Sequence, residues 1–600
     1  LKISPTRPSA ARIAIVAALL AGVAVPVLAP LRAQDTPESL LPPGFNDPAP
    51  APAPAPAPRP SGPAAPRPTA APVAPPSIPA DSPDLFGNDS APLAEATPAP
   101  IDYSKYELPD FAKRSLNRIG VSAWGNPVFA PNAFAGTPGR AQMILMQRLD
   151  APIPSRWVSI ALRRALQSPI DTPAGINGAD YAAQRAWLLL RMGESFAARA
   201  VVQGVDAENF TPGLYRVGMQ VALAAADPAM VCGFADPAAQ ELPDRGWQLA
   251  RAWCAGLGGE PNKAQALLKE ARSGPRGDID NLLAEKLVNA GGRGAVTIEW
   301  GGVDGLSAWR WGLATATGET VPDALYSGVG PQVRFWQALA PMVPAAQRIA
   351  PAELAAANGV FSNAGLVSLY GEIEQEDDGG AFVATARDLR TAHTGPDAAA
   401  RVAALKTIWV ESDSARRRYG RLVLTARAAS AIPARPELAA DADTLIASML
   451  TAGFEQPALA WRSVAPRGGS GWMLLALTDP SGAVAGGDFE AYRGAASPRA
   501  AQLAFAGLAG LGKLSDGDAR SYAQSLDVPV GAQNSWTRAI DEAAARGDTG
   551  SVALLAAVGM QSRGWGAISP EALFHIVAAF RTAGMPQYAR MIAVEAVTRA

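Results

Sequence analysis

From Ala141 onward, apolar residues recur three and four positions apart, in stretches separated by short Gly, Pro or Asp breaks. That spacing is the helical period, and the breaks are the usual helix boundaries. Tyr181–Met192 reads as one helix and Ala197–Gln203 as the start of another; Leu214–Ala226, Trp247–Leu257 and Lys263–Arg272 follow. Within Trp247–Leu257, the residues Leu249, Ala250, Trp253, Cys254 and Leu257 share one face. Strand-like alternation is scarce, and Ala295–Trp300 is its best short example. Residues 105–140, punctuated by Gly and Pro, read as an irregular lead-in. The pattern therefore predicts an all-α body over 141–600, with candidate subdivisions near 291 and 435.

The helices are joined in a recurrent way. Gly193 is followed five residues later by Ala198, Gly259 by Ala264, and Gly584 by Ala589; Gly547 and Ala553 repeat the arrangement with one extra residue. Glycine permits the left-handed cap that ends a helix, and a small alanine lets two antiparallel helices approach closely. Leu249–Leu257 with Gly258, Gly259 and Ala264–Leu268 resembles the helix–turn–helix unit of tetratricopeptide repeats. Phe574–Ala583 with Tyr588–Val597 makes a second such pair. The resemblance is scattered over residues 180–600 without the regular period of about 34 residues, and residues 291–390 depart from it most. It implies an irregular helical-repeat solenoid of degenerate tetratricopeptide-like type. Solenoids commonly hold extended partners on a concave face, which is a likeness of fold and not of site.

The pattern changes completely before residue 105. Lys2, Arg7 and Arg12 precede the uncharged apolar run Ile13–Ala29, the order expected of a secretory signal peptide over residues 1–33. Ala33 suits the residue before the cut, with Gln34 following; a cut after Ala29 would place the unfavourable Pro30 next. The alternative is an uncleaved membrane anchor, since residues 13–31 approach the length of a bilayer span, although Pro26 and Pro30 interrupt a continuous helix. Residues 34–104 hold 21 prolines in 71 positions, including five consecutive Ala-Pro units over Ala49–Pro58. Such a tract predicts a disordered, semi-stiff polyproline spacer with a reach of about 110 Å for the ~35 residues from Pro48 to Pro83. Two apolar knots, Leu40–Phe45 and Leu85–Gly87, stand in it as candidate docking motifs or incidental linker residues. In bias the chain resembles Ala/Pro/Thr-rich proteins labelled antifreeze-glycopeptide-like, but it has no Ala-Ala-Thr repeat, so ice binding does not follow.

Composition narrows the function classes. The chain carries 52 basic and 54 acidic residues for a net charge of −2, and loss of residues 1–33 would remove four basic residues and no acid. No basic footprint for nucleic acid is present. His393 and His575 are the only histidines, too few for a histidine-based metal site. The first lies at a helix end, where a solvated cap is expected, and the second within an apolar helix. Gly507–Leu514 approaches a phosphate-binding loop, but Leu514 replaces the hydroxyl residue after Lys513 and a helix precedes it where a strand is required. The acids Glu372, Glu374, Glu376, Asp377 and Asp378 lack the ligand spacing of a calcium loop. Arg416, Arg417, Arg418 and Arg421 read as one solvated helix face. Cys232 and Cys254, on successive predicted helices, are disulfide candidates in an oxidising compartment. Fourteen tryptophans are present; Trp309 with Trp311, or Trp461 with Trp472, would be the pairs to line a sugar groove, against the ordinary expectation of helix packing. Soluble lytic transglycosylases share an α-superhelical body, but of their catalytic Glu-Ser motif only Glu411-Ser412 is an echo.

No catalytic or cofactor-binding residue, metal ligand or cofactor is expected. The leading expectation is a non-enzymatic scaffold or adaptor, periplasmic or in the cell envelope, that binds a protein partner through its helical surface. The second is a peptidoglycan- or polysaccharide-associated envelope protein.

Overall fold

The computed structural model describes residues 109–121, 129–272, 277–290, 294–374, 380, 382–562 and 564–600. The expected leader with its Ala33/Gln34 cut, the spacer and its two apolar knots lie outside the described residues. The described residues belong to one compact unit, and its regular structure is almost wholly helical. Their one sheet pairs Arg118–Ile119 antiparallel with Ile170–Asp171. Ala295–Trp300 forms no strand.

The glycine–alanine pattern has a common physical basis. Gly193, Gly259, Gly547 and Gly584 all have φ between 69° and 90°. In each case the next residue's N–H returns to the carbonyl five positions before it: Glu194 to Leu189, Glu260 to Ala255, Asp548 to Ala543, and Met585 to Phe580. This bond closes the helix C-terminus and turns the chain back. The paired alanines, Ala198, Ala264, Ala553 and Ala589, are all fully buried, where a larger side chain would hold the two helices apart. Gly318, Gly359, Gly453 and Gly512 make the same turn. At the opposite ends, Thr211-Pro212, Ser497-Pro498 and Ser569-Pro570 put a hydroxyl cap before a proline in the first turn, a combination that satisfies orphan N–H groups and presets φ.

Two residues make this turn without glycine. Ala226 has φ 51° and Asp527 φ 53°, and the following N–H groups bond to Ala222 and Ala523 in the same way. An L-residue pays about 1–2 kcal/mol in this region, part of which glycine returns as unfolded-chain entropy. Ala226→Gly is therefore expected to stabilise the protein by about 1 kcal/mol, read as a higher thermal midpoint; a lower midpoint would refute the cap argument.

Contacts link the helices on either side of residues 291 and 435. Trp253 and Trp309 meet at 5.5 Å across the 291 region, and Ser448 donates to the Leu422 carbonyl across residue 435. The chain then closes on itself. The helix Arg156–Gln167 packs against the C-terminal helices Thr549–Gly559 and Pro586–Thr598. The lead-in joins this closure: Phe129 and Phe134 are buried, the Ala133 carbonyl accepts from the Gly550 N–H at 2.7 Å, and Thr137 donates to Asp548 at 3.1 Å. Its irregularity in sequence reflects a strap fitted to distant helices. The first body helix starts at Gly139.

Candidate functional site

The chemistry-bearing residues picked out in the sequence are largely used by the fold itself. Lys513 is 7% exposed, and its Nζ donates to the carbonyls of Ala476, Asp479 and Gly482. It closes the C-terminus of the helix Ser470–Thr478, a favoured place for a cation. Burial lowers its pKa to about 8, while three carbonyl acceptors match the three donors of an ammonium. The preceding Pro498–Gly510 segment is a helix, so no phosphate-loop geometry exists here. His575 is buried, with Nδ1 3.1 Å from both carboxylate oxygens of Asp541 and its ring edge-on to Trp536 and Phe574. His393 sits in the last turn of Phe382–Thr394. It is half-buried and not a solvated cap; burial and the nearby Arg401 and Arg427 lower its pKa.

The basic run departs most from expectation. Arg417 and Arg421, one helical turn apart, face inward onto Glu353, whose side chain is fully buried and also accepts from the Tyr370 hydroxyl at 2.6 Å. Burial and the adjacent Glu353 raise the Tyr370 pKa strongly. A run of charges looks solvated in sequence because its buried partner lies 64 residues away. Glu411 belongs to the edge of this cluster, 3.7 Å from Arg421, and Ser412 donates to the Trp409 carbonyl. Of the acidic run, Glu372 and Glu374 pair with Arg348 and Arg390; residues 375–379 lie outside the described residues.

The sugar-groove pairs are core residues. Trp309, Trp311 and Trp461 are at most 1% exposed, and Trp472 packs against the core. Their surroundings explain why: Trp311 packs at a tilt against Trp336, with ring centroids 5.8 Å apart. Buried indole N–H groups also find acceptors, Trp253 on Pro228, Trp309 on Asp280, Trp311 on Tyr326 and Trp336 on Leu190.

Cys232 and Cys254 are bonded, with sulfurs 1.98 Å apart. The bridge ties the short helix Pro228–Gly233 to Arg245–Leu257, and for a loop of that size the chain-entropy stabilisation is roughly 3 kcal/mol.

A cleft that sequence reasoning missed opens where the chain closes. It has a volume of about 350 Å3 and is lined by Arg156, Trp157, Arg163 and Arg164 on one side and by the Gly359–Gly365 turn on the other. Ser155 caps the helix that carries the arginines, and the carboxylate of Glu595 receives Ser155 Oγ, the Arg156 N–H and the Trp157 N–H. Arg156 is spent on the structure: Nε donates to the Thr451 carbonyl and Nη1 to those of Ala356 and Phe361. Arg163 uses Nη1 on Glu194 and the Gly359 carbonyl, both at 2.9 Å. Arg164 meets only the Tyr588 hydroxyl, at 2.7 Å. The helix Asn363–Ile373 begins at the cleft wall, with Ser362 as its cap. The sequence signal was the spacing of Trp157, Ile160, Arg163 and Arg164, which share one helical face, but nothing in it marks that face as the wall of a cleft.

Comparison with protein-family models, with curated proteins and with solved structures gives no match.

Proposed function

We propose that this protein is a non-enzymatic scaffold or adaptor of the periplasm or cell envelope, in which an irregular helical-repeat body engages a protein partner and the Pro/Ala-rich spacer sets its reach. One observation carries the reading. The side chains that offered chemistry in the sequence are engaged in holding the helices together: Lys513 on three carbonyls, His575 on Asp541, Arg417 and Arg421 on Glu353. The surface also carries exposed apolar residues such as Phe196, Leu257 and Val410, the material of protein contacts. The burial of Trp309, Trp311 and Trp461 favours this reading over a polysaccharide-binding one, which needs indoles open to solvent for stacking.

The test is affinity capture with the full chain from an envelope fraction of its own source, beside sedimentation with purified peptidoglycan. A partner recovered reproducibly and in stoichiometric amount, with the chain absent from the peptidoglycan pellet, is the expected result. Co-sedimentation without any such partner would overturn the reading in favour of the polysaccharide-associated one.

A further inference from the structure

We propose that the cleft at the closure of the chain is a binding site for a phosphoryl group, carried as free phosphate or as the monoester of a small polar molecule. The inference does not depend on the scaffold reading, which concerns the outer helical faces.

Charge comes first. The three guanidiniums of Arg156, Arg163 and Arg164 line the cleft. Among the described residues, Glu194 is the one carboxylate bonded to any of their side chains, through Arg163, because Glu595 pairs with Arg599 at 3.0 Å and meets Arg156 only at the backbone N–H. The cleft wall is thus left with about two positive charges, matching the −1.5 to −2 of a phosphomonoester near neutral pH. Donor geometry agrees with this. Arg163 and Arg164 each use Nη1 on the protein, so Nε and Nη2 of both remain to donate. Guanidinium groups with two such donors suit tetrahedral oxyanions.

Two further features converge on the same space. Phe361, Ser362 and Gly365 of the opposite wall belong to the start of the 11-residue helix Asn363–Ile373, whose dipole favours an anion, the Gly365 N–H itself being taken by Ser362 Oγ. Trp157 lines the arginine side; its indole N–H lacks a protein acceptor but is shielded from solvent and so is not itself open to the cleft. Most other shielded indoles are satisfied, Trp300 being the other exception. An indole body beside arginines fits the polar organic part of a small ester. The volume of about 350 Å3 is at the lower end of small-molecule sites.

The test is a 31P NMR titration of the full chain with inorganic phosphate and, separately, with glycerol 3-phosphate, in chloride buffer at matched ionic strength. Saturable broadening or shift with a dissociation constant below about 10 mM is expected for at least one of them. Tighter binding of glycerol 3-phosphate assigns the ester, and equal binding assigns the free ion. Arg164→Gln, which removes a half-open side chain with a single protein contact, should weaken binding about tenfold. Arg467→Gln, which removes an exposed arginine paired with Asp488, should leave it unchanged. Circular dichroism of both variants checks that they fold; if Arg164→Gln does not, Arg164→Lys, which keeps the charge but loses the fork, replaces it with the same expected weakening. Absence of any saturable signal in the wild type, or equal loss in the Arg164 and Arg467 variants, would overturn the proposal.

Discussion

Replacing Glu595 by alanine is expected to lower stability by about 3–5 kcal/mol, among the largest losses available from one side chain in this protein. Its side chain is fully buried and gathers five donors from three parts of the chain. Ser155 Oγ approaches at 2.7 Å, the Arg156 and Trp157 N–H groups at 2.8 and 3.2 Å, Trp565 Nε1 at 3.2 Å and Arg599 Nη1 at 3.0 Å. Alanine would strand two N–H groups at a helix start, a hydroxyl and an indole, and would leave the Arg599 guanidinium, only 10% exposed, with the carbonyls of Pro154 and Ala357 but no carboxylate. Each such loss costs more than the bond itself contributes, since the partner stays desolvated. Glu595→Gln keeps the volume but turns an NH2 group toward donors, so it should recover less than half of the loss. The thermal midpoint measures the total. Hydrogen exchange should show protection falling first in residues 156–167 and 586–598, the two helices that the carboxylate joins. A loss below about 1 kcal/mol would mean that the closure is held by apolar packing alone.

That prediction also marks what can be read from a linear pattern. The hairpins were legible because their signals are local: a glycine at positive φ and an alanine five or six positions on are a few residues apart, and the physics of each is complete within one turn. The buried histidine at 575 was legible for the same reason, from its apolar neighbours. Glu595 was not, because its Ser155 partner lies 440 residues away and an acid in an amphipathic helix looks solvated until the opposing surface is known. Arg417 and Arg421 misled in the same manner. The tryptophan pairs, expected mainly as helix packing, are core residues, although the pattern left the groove open as an alternative. Their spacing fits a groove and a core equally well, and only the neighbouring helices decide. The arginine cleft combines these difficulties, since its walls come from segments near residues 160 and 360 that are brought together by closure of the whole chain. Regular local rules thus build the hairpins, while single long-range polar contacts select how the hairpins are assembled.

The cluster around Glu353 lets that division be tested. Glu353→Ala is expected to cost about 3–5 kcal/mol, because Arg421, with its side chain 3% exposed, would keep its charge and lose its carboxylate. The same substitution removes the acceptor of the Tyr370 hydroxyl and one of the two carboxylates that hold Arg417, leaving Asp413. If the cluster serves mainly to select the pairing of helices Ala345–Ala357 and Ala415–Ser430, then an apolar replacement of both charges should restore most of the stability. Glu353→Met with Arg421→Met keeps similar volume and strands neither of these two ions, so the double variant should lie within about 2 kcal/mol of the parent, the remaining loss being the Tyr370 hydroxyl left without its acceptor. The close contact between the helices would survive, since it rests on Gly420: a Cβ there would come within 2.4 Å of the Glu353 carbonyl oxygen. A coupling energy of at least about 2 kcal/mol in the double-mutant cycle is the quantity to measure. Additive losses would show instead that each charge is held by its other neighbours, Arg417 for Glu353 and Glu411 for Arg421, and that the pair does not act as a unit.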